Sequence, residues 1–347
     1  MKKPDRILAQ DLDALLHGAL PWEALDGRHI LVTGASGFIG GHVVEALVWR
    51  NRQRPHAKLH LYALARDVQK LHRRMPWVDI PGEVTPIIQD VTVPCDLEVS
   101  VDFIIHAASP ASPKDYLQKP VDTIRANTEG TRELLELARA ANARLLFLSS
   151  GAVYGDNPGH TGAIAEGDFG SEDPLGPRAC YGESKRLAET LCRAYYSQYG
   201  VDTRIARISH CYGPGMRLDD GRAISDLLAD VLNDRDIELD SDGSASRPFC
   251  YISDTVLGLF HILLRGTAGH AYNVGETQEV SILELAERLI ATAGKAGQLR
   301  VLPKARKGPA PAARSAGHFS IEKIRALGWA PLTPLDAGLS RLLQANT

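Results

Sequence analysis

Three glycines at three-residue spacing are the feature that most constrains the fold of this chain. Gly34, Gly37 and Gly40 directly follow the apolar stretch 29–33, and an apolar helical pattern then continues through Trp49. In such a strand–turn–helix unit the first glycine permits a tight turn. The second lets a pyrophosphate approach the backbone, and the third lets the helix pack closely on the strand. The helix N-terminus then attracts the anion. Because the spacing and its context occur together, the sequence predicts a dinucleotide-binding site.

Strands and helices alternate as far as residue 208. Apolar runs predict further strands at 58–66, 101–108, 144–149 and 203–208, a helix over 127–141 and another from 179 onward. Strands that alternate with helices of this length are typical of a parallel sheet covered on both faces. We therefore expect an α/β protein with a Rossmann-type doubly wound parallel sheet, followed by a smaller C-terminal α/β substrate-binding part.

The two ends of the chain depart from this alternation. Near the N-terminus, leucines at helical spacing within residues 6–25 predict a short amphipathic helix that packs on the domain or on a partner. The expected division is a helical extension over 1–27, a dinucleotide-binding domain over 28–208 and a substrate-binding part over 209–347.

Within the last of these parts, the pattern predicts helices near 222–233 and 253–265 and a strand over 271–274. Ser281 followed by Glu284 is typical of a capping box that opens a helix. Lys304 to Gly317, rich in Ala, Pro, Gly and basic residues, is expected to be a loop with solvated charges.

Tyr181 and Lys185 form the candidate acid–base pair. They lie four residues apart at the start of a helical pattern, so their side chains project from the same face. A free phenol has a pKa of about 10, and a nearby cation favours the phenolate and lowers that value. The pair can then take a proton from a hydroxyl or return one to a carbonyl. Taken alone, the spacing is also common in ordinary surface pairs.

Composition excludes several classes of function. A formal net charge of −3 gives no electrostatic basis for binding nucleic acid or a membrane surface. Five cysteines without Cys-x-x-Cys spacing fit neither a disulfide framework nor a zinc site, and we expect no metal. No apolar run has the length of a transmembrane helix, and the N-terminal residues do not resemble a signal peptide. The expected compartment is the cytoplasm.

The end of the second predicted strand indicates which dinucleotide binds. An acidic residue there binds the ribose 2′-hydroxyl of NAD, whereas an arginine accommodates the 2′-phosphate of NADP. Ala65 occupies the acidic position and Arg66 follows it, which favours NADP. The alternative is that Asp67 turns inward and Arg66 is a solvated surface charge, which would give NAD.

Several motifs together resemble the extended short-chain dehydrogenase/reductases that act on nucleotide-linked sugars. Besides the glycines and the Tyr181/Lys185 pair, these are Ser149-Ser150 before Val153-Tyr-Gly155, and Asn127-x-x-Gly130-Thr131. The resemblance runs from about residue 28 to the C-terminus. The segments most similar to the UDP-glucuronate decarboxylase branch are 106–113, 176–181, 220–222 and 251–254.

The resemblance implies a role for each matching residue. Tyr181 exchanges the proton of the sugar C4 hydroxyl, Lys185 lowers the pKa of Tyr181 and binds the nicotinamide ribose, and Ser150 orients the C4 oxygen. The cofactor-binding residues it implies are Gly34, Ser36, Gly37, Phe38, Ile39, Gly40, Arg66, Asp90, Val91, Ala107, Ala108, Ser109, Asn127, Tyr181 and Lys185. The substrate-binding residues it implies are Ser109, Ser150, His210, Arg222 and Arg247. For the two arginines, a surface salt bridge is the alternative.

Three positions depart from the family pattern. Decarboxylases and 4,6-dehydratases of this group carry a glutamate just before Val-Tyr-Gly, where this chain has Ala152. Their arginine after Gly-Pro is Gly215 here, and the asparagine that meets the sugar diphosphate is His210. Because loss of an acid–base group costs a factor of about 10² to 10⁴, Ala152 argues against dehydration and the usual decarboxylation.

Three functions remain open at this point. The first is a nucleotide-sugar 4-ketoreductase or 4-epimerase, which needs no carboxylate at position 152. The second is a decarboxylase, because a β-keto acid loses carbon dioxide with little acid–base help. The third is a catalytically silent dinucleotide-binding protein. The family commonly dimerises through the helices near 128–141 and 181–199, and we expect a homodimer. The side chains that suit this contact, or alternatively the core, are Leu134, Leu137, Tyr195 and Tyr196.

Overall fold

A computed structural model of the chain describes residues 6–95, 97–156, 162–304 and 318–346. The strands are β1 His29–Thr33, β2 His60–Ala65, β3 Thr85–Ile88, β4 Phe103–His106, β5 Arg144–Ser150, β6 Thr203–Ile208, β7 His210–Tyr212, β8 Ile237–Leu239, β9 Ser246–Tyr251, β10 His270–Val274, β11 Glu279–Ser281 and β12 Val301–Pro303. The helices are α1 Arg6–Leu16, α2 Phe38–Gln53, α3 Val68–Arg74, α4 Pro113–Gln118, α5 Pro120–Ala141, α6 Ala179–Tyr199, α7 Ala223–Leu232, α8 Ile252–Arg265, α9 Ile282–Thr292, α10 Glu322–Arg325 and α11 Leu335–Gln344.

The largest sheet has seven strands in the order β10-β6-β5-β4-β1-β2-β3. All of its strand pairs are parallel. Its central strands are almost fully buried, as expected for a parallel sheet with helices on both faces. Helices α2 and α8 pack in one core, and α5 and α6 pack in the other. The α/β doubly wound sheet predicted from the alternation of elements is confirmed.

One sheet strand comes from the C-terminal part of the chain. β10 pairs with β6, with Val274 opposite Ile208. The chain therefore leaves the sheet after β6, builds part of the C-terminal region and returns to add the seventh strand.

Several elements differ from the sequence prediction. Helix α5 begins at Pro120, well before Asn127, because a proline in the first turn of a helix needs no backbone donor. Strand β3 was missed because it is only four residues long and contains Pro86. It lies at the edge of the sheet, where proline is tolerated. The short helices α3 and α4 were also missed.

The N-terminal helix packs on the body of the protein, as its leucine spacing predicts. Leu12 and Leu15 are buried in the core shared with α2 and α8. Asp11 is also buried, and it accepts hydrogen bonds from Tyr251 at 2.7 Å and Arg341 at 2.6 Å. The helix therefore joins strand β9 and helix α11 to the sheet domain.

The remaining C-terminal elements form two small sheets and five helices among the described residues. β9 pairs in parallel with β7 and antiparallel with β11, and β8 pairs with β12. Ser281 caps α9 by accepting from the Glu284 backbone N–H, as the capping box predicts. Apart from Lys304, the predicted loop 304–317 lies outside the described residues. None of the helices in the described part combines the length and the apolar character that a membrane crossing requires.

Candidate active site

In the glycine turn, backbone groups pack directly against one another. Gly34 has φ of +66°, and a Cβ there would lie 2.7 Å from the backbone of Ala107 and Ala108, just beyond β4. A Cβ at Gly40 would collide with the Gly34 carbonyl, and the N–H of Gly37 donates to that carbonyl at 2.8 Å. Gly37 caps α2 without a side-chain partner, so the first N–H groups of this helix are suited to an anion.

A buried network fixes the strand ends that face this turn. Thr33 Oγ1 accepts from the backbone N–H of Ala108 at 3.2 Å and lies 2.9 Å from His106 Nδ1. The other ring nitrogen of His106 lies 3.1 Å from Thr131 Oγ1. Burial and the nearby Lys185 lower the pKa of His106 to about 3, so the ring is neutral at physiological pH.

Two buried polar atoms near this network have no partner in the described structure. They are Ser109 Oγ and Asn127 Oδ1. The amide nitrogen of Asn127 donates to Ser184 Oγ at 2.9 Å, so only the side-chain oxygen lacks a hydrogen-bond partner in the described structure. Buried polar groups rarely lack a partner, and each such atom here can hydrogen-bond a ligand. Together with the tight glycine turn, these atoms fit a bound dinucleotide.

Ser150, Tyr181 and Lys185 meet where β5 ends and α6 begins. Ser150 Oγ accepts from the N–H of Ala152 at 3.2 Å and also hydrogen-bonds the side chain of Tyr181. One helical turn after Tyr181, Lys185 Nζ lies 6.0 Å from the centre of the Tyr181 ring. Lys185 is 3% exposed and donates to the carbonyl of Leu148 at 2.8 Å. The three side chains expected to act together are therefore assembled at one end of the parallel sheet.

The pKa shifts in this group differ from the expected ones. Burial lowers the pKa of Lys185 to about 7, although Glu189 opposes the shift. Burial also raises the pKa of Tyr181, against the lowering influence of Ser150 and of the positive charge of Arg222. The raised pKa of Tyr181 is opposite in direction to the lowering expected from a nearby cation. Lys185 is desolvated and held by a carbonyl, and the cation that acts on Tyr181 is Arg222.

The candidate adenosine side lies at the end of β2. Arg66 is exposed, and its guanidinium lies 3.5 Å from Asp90, whose other oxygen accepts from Thr92. Asp67 caps α3 by accepting from the backbone N–H of Lys70 at 3.0 Å. Asp67 is therefore engaged with its own helix. Val91 is buried against Gly130 of α5, where a Cβ would lie 2.8 Å from a Val91 methyl group. Among the remaining candidates, Ser36, Phe38 and Ile39 are half-buried.

The C-terminal part contributes positive charge. Arg222 lies 3.4 Å from Asp220 and donates to the carbonyl of Ala111 at 3.4 Å. His210 is accessible to solvent, yet the surrounding protein and the charges of Arg247 and Arg222 lower its pKa to about 4. The charges of Arg222 and Arg247 therefore both act on His210. Arg222 makes a salt bridge, as the alternative interpretation held, but its charge also acts on Tyr181.

Sequence reasoning missed two side chains of this region. Tyr116 of α4 stacks on Tyr181 with 5.1 Å between ring centres. Ser112-Pro113, an N-cap followed by a proline in the first turn, is the signal that could have located its helix. Arg74 of α3 lies 3.7 Å from the position that a Cβ at Gly215 would occupy. The Arg74 guanidinium is bound to Glu45, so it lies beside Gly215 as part of an ion pair.

The described residues contain no group of His, Cys, Asp and Glu side chains that could hold a metal ion.

The chain is similar in sequence and in fold to several known proteins. The model of the NAD dependent epimerase/dehydratase family matches residues 30–275. UDP-glucuronic acid decarboxylase 1 of Xenopus tropicalis is 36% identical over 319 residues, which cover 92% of this chain and 72% of that protein. UDP-glucuronic acid 4-epimerase from Bacillus cereus in complex with NAD is 26% identical, with a TM-score of 0.72 over 91% of this chain and 96% of that chain.

A more distant solved structure shares the fold. UDP-glucose 4-epimerase from Thermotoga maritima is 21% identical, with a TM-score of 0.74, and the match covers 92% of this chain and 98% of that chain. The resemblance to extended short-chain dehydrogenase/reductases is confirmed, as is the expectation of an enzyme with a dinucleotide cofactor. The chain belongs to the NAD dependent epimerase/dehydratase family.

Proposed function

We propose that this enzyme transfers a hydride at C4 of a nucleotide-linked sugar, as a 4-ketoreductase or a 4-epimerase. One observation carries the proposal. Ser150, Tyr181 and Lys185 are assembled beside the candidate dinucleotide bed, whereas the position that holds the additional carboxylate in related decarboxylases and dehydratases is Ala152. Hydride exchange at C4 needs the three assembled side chains and no group at position 152.

The chain's own residues supply the proton chemistry. When bound, the dinucleotide accepts or donates the hydride at C4. Tyr181 holds or takes the proton of the C4 oxygen, and Ser150, which hydrogen-bonds the phenol, also orients that oxygen. Lys185 binds the nicotinamide ribose. The glycine turn and the N-terminus of α2 bind the pyrophosphate, and Ser109 and Asn127 provide the buried acceptors nearby.

A positive cluster is suited to the diphosphate of the sugar substrate. Arg222 and Arg247 both act electrostatically on His210. An arginine presents its donors in a fixed fork that matches phosphate oxygens, and the neutral His210 ring can donate one further hydrogen bond. We propose a UDP-linked sugar as substrate, because the relatives named above act on UDP-sugars.

A UDP-glucuronate decarboxylase is the second candidate. It is favoured by the relative in Xenopus tropicalis and by a carboxylate that the sequence did not indicate. Glu172 Oε2 lies 3.0 Å from the position of a Cβ at Gly182, and the carbonyl of Ala152 lies 3.5 Å from the same position. This carboxylate is therefore close to the first turn of α6, although it enters from a different segment than the family's glutamate.

Three assays on the purified enzyme separate these functions. Oxidation of NADPH by UDP-4-keto-6-deoxyglucose supports the ketoreductase, and interconversion of UDP-glucose and UDP-galactose supports the epimerase. Release of carbon dioxide from UDP-glucuronate supports the decarboxylase and would overturn our proposal. Glu172→Gln sharpens the result, since it leaves a C4 reaction unchanged and impairs a decarboxylation that uses this carboxylate. Tight cofactor binding without any of these reactions would indicate the silent protein.

We further propose that the cofactor is NADP. Arg66 has 57% of its side chain exposed at the end of β2, and Asp67 is engaged as a helix cap. The family as a whole is NAD dependent, so the test is direct competition between cofactors. We expect NADPH to bind more tightly than NADH, and Arg66→Gln to remove that difference while leaving NADH affinity unchanged. Equal affinities in the wild-type enzyme would exclude the assignment.

We also propose a homodimer, with a contact surface that differs from the one expected from the sequence. Leu134 is buried in the core, and Leu137 and Tyr195 pack against that core. Outward-facing apolar side chains on α5 and α6 suit a partner better, and they are Val121, Ile124, Leu187 and Tyr199. Analytical ultracentrifugation should show a dimer that Val121→Lys with Leu187→Lys dissociates, and a monomeric wild-type protein would refute this surface.

A further inference from the structure

The phenol of Tyr181 is covered by a second aromatic ring. Tyr116 stacks on it with 5.1 Å between ring centres and 15° between ring planes. Tyr116 is itself 7% exposed, so its ring is a fixed part of the wall and is not free to swing into solvent. Offset stacking at this distance is a favourable geometry for two aromatic rings.

Helix α4, which carries Tyr116, is held from the side of the catalytic helix. The thiol of Cys180, the residue before Tyr181, lies 3.6 Å from the carbonyl of Tyr116 and donates to it. The two tyrosines are thus linked through their rings, and the side chain of the residue before Tyr181 holds the backbone of Tyr116. A displacement of α4 would therefore change the position of the Tyr181 ring.

Helix α4 is also held by the loop that precedes α7. The N–H of Lys114 donates to the carbonyl of Asp220 at 3.4 Å, and the side chain of Lys114 lies 3.4 Å from Asp219. Arg217 of the same loop lies 3.5 Å from Asp115. This loop ends at Arg222, the residue whose charge acts on both phenols.

We propose that Tyr116 is a positioning residue that holds the phenol of Tyr181 in its reactive orientation by ring stacking. The 217–222 loop sets the position of α4, so the substrate-binding part and the proton-transferring phenol are adjusted together. The inference deepens the C4 function proposed above and rests on it. Its physical basis is that a catalytic group must be locked by the packing of its neighbours, since a displacement of about 1 Å can cost a factor of about 10².

The kinetic test compares variants of Tyr116 with NADPH and UDP-4-keto-6-deoxyglucose. Tyr116→Ala removes the stacked ring, and we expect kcat to fall by about 10- to 100-fold with an unchanged KM for NADPH. Tyr116→Phe keeps the ring and should retain kcat within about twofold. Tyr116→Leu, which fills the space without a planar ring, should resemble Tyr116→Ala and serves if the alanine variant does not fold. Tyr62→Ala is the matched control, because it removes a ring that stacks on His29 of β1 with 5.9 Å between ring centres.

A second readout needs no turnover. The pKa of Tyr181 is measured from the ultraviolet absorbance of tyrosinate, as the difference between each protein and the same protein carrying Tyr181→Phe. Burial raises this pKa in the wild-type enzyme. Removing the covering ring should bring it down toward the free value of about 10, whereas Tyr116→Phe should keep it raised.

The outcomes separate the inference from the proposed function. A wild-type enzyme that is inactive in both the ketoreductase and the epimerase assay would refute the C4 function, and the titration would still decide the role of Tyr116. A wild-type kcat and an unchanged Tyr181 pKa in Tyr116→Ala would overturn the positioning role. A loss in Tyr116→Phe as large as in Tyr116→Ala would assign the effect to the hydroxyl, and an effect on the sugar KM alone would make Tyr116 a substrate contact. Either result would also overturn it.

Discussion

The proposed bed for the dinucleotide and the proposed cleft for the sugar are built from different kinds of contact. In the bed, backbone lies directly on backbone, with Gly34 against Ala107 and Gly40 against Gly34. In the cleft, long polar side chains reach across from distant segments, as Arg222 does to Ala111. Backbone contacts this close admit only glycine, so they leave a pattern in the sequence. Side-chain contacts can be made from many positions, so they leave no recognisable pattern in the sequence.

The largest test of this contrast is the phenol that acts between the two regions. Tyr181→Phe removes the hydroxyl that we propose transfers the proton, and it leaves the ring stacked on Tyr116. We expect kcat to fall by a factor of about 10² to 10⁴, with an unchanged dissociation constant for NADPH. Steady-state kinetics and fluorescence of bound NADPH measure the two quantities. Substantial activity in this variant would remove Tyr181 from the mechanism.

The second test asks whether close backbone contact defines the cofactor bed. Gly34 and Gly27 have φ of +66° and +68°, but a Cβ at Gly27 would meet nothing within 4 Å. Alanine at either position adopts an unfavourable left-handed conformation, at a cost of about 1–2 kcal/mol. Gly34→Ala additionally forces the turn away from Ala107.

We therefore expect Gly34→Ala to weaken NADPH binding at least about tenfold, while Gly27→Ala leaves the affinity unchanged and lowers only the thermal stability. Calorimetric titration and thermal unfolding measure both effects. Equal losses of affinity in the two variants would mean that backbone strain, and not the contact with Ala107 and Ala108, determines binding.

The same contrast explains how far sequence reasoning succeeded. The parallel sheet, the glycine turn and the Tyr181/Lys185 face followed from periodicity and spacing, because each is local to one strand–helix unit. Arg74 beside Gly215 and Tyr116 on Tyr181 did not follow, since each joins segments far apart in the chain. The raised pKa of Tyr181 also did not follow, because spacing along a helix contains no information on burial.

The third test concerns the substrate side, where His210 replaces the family's asparagine. Desolvation by the surrounding protein and the charges of Arg247 and Arg222 lower the pKa of His210 to about 4, so its ring is neutral at pH 7 and can serve as a neutral hydrogen-bonding group. We expect His210→Asn to change the KM of the nucleotide sugar by less than about threefold, and His210→Ala to raise it about tenfold.

The lowered pKa of His210 also predicts how the KM of the nucleotide sugar depends on pH. A histidine with a lowered pKa gains its proton only as the pH falls toward 4. Because its pKa is about 4, His210 should stay neutral between about pH 5.5 and 8. Its contribution to the KM of the nucleotide sugar should therefore be constant over this range. His210→Asn provides the comparison, because it cannot titrate. A break near pH 6.5 that disappears in this variant would show that His210 has an ordinary pKa.

The smallest expected effect tests whether Asp67 belongs to the cofactor bed at all. Its carboxylate accepts from the N–H of Lys70 and lies one residue after Arg66. As a helix cap, Asp67→Ala should lower the Tm by only about 2–4 °C and leave the affinities for NADPH and NADH unchanged. Asp67→Asn retains a capping oxygen and should preserve the Tm. If Asp67→Ala instead weakens NADH binding selectively, the carboxylate binds the adenosine ribose. Cofactor binding at the end of β2 would then depend on a side-chain contact as well as on backbone contacts.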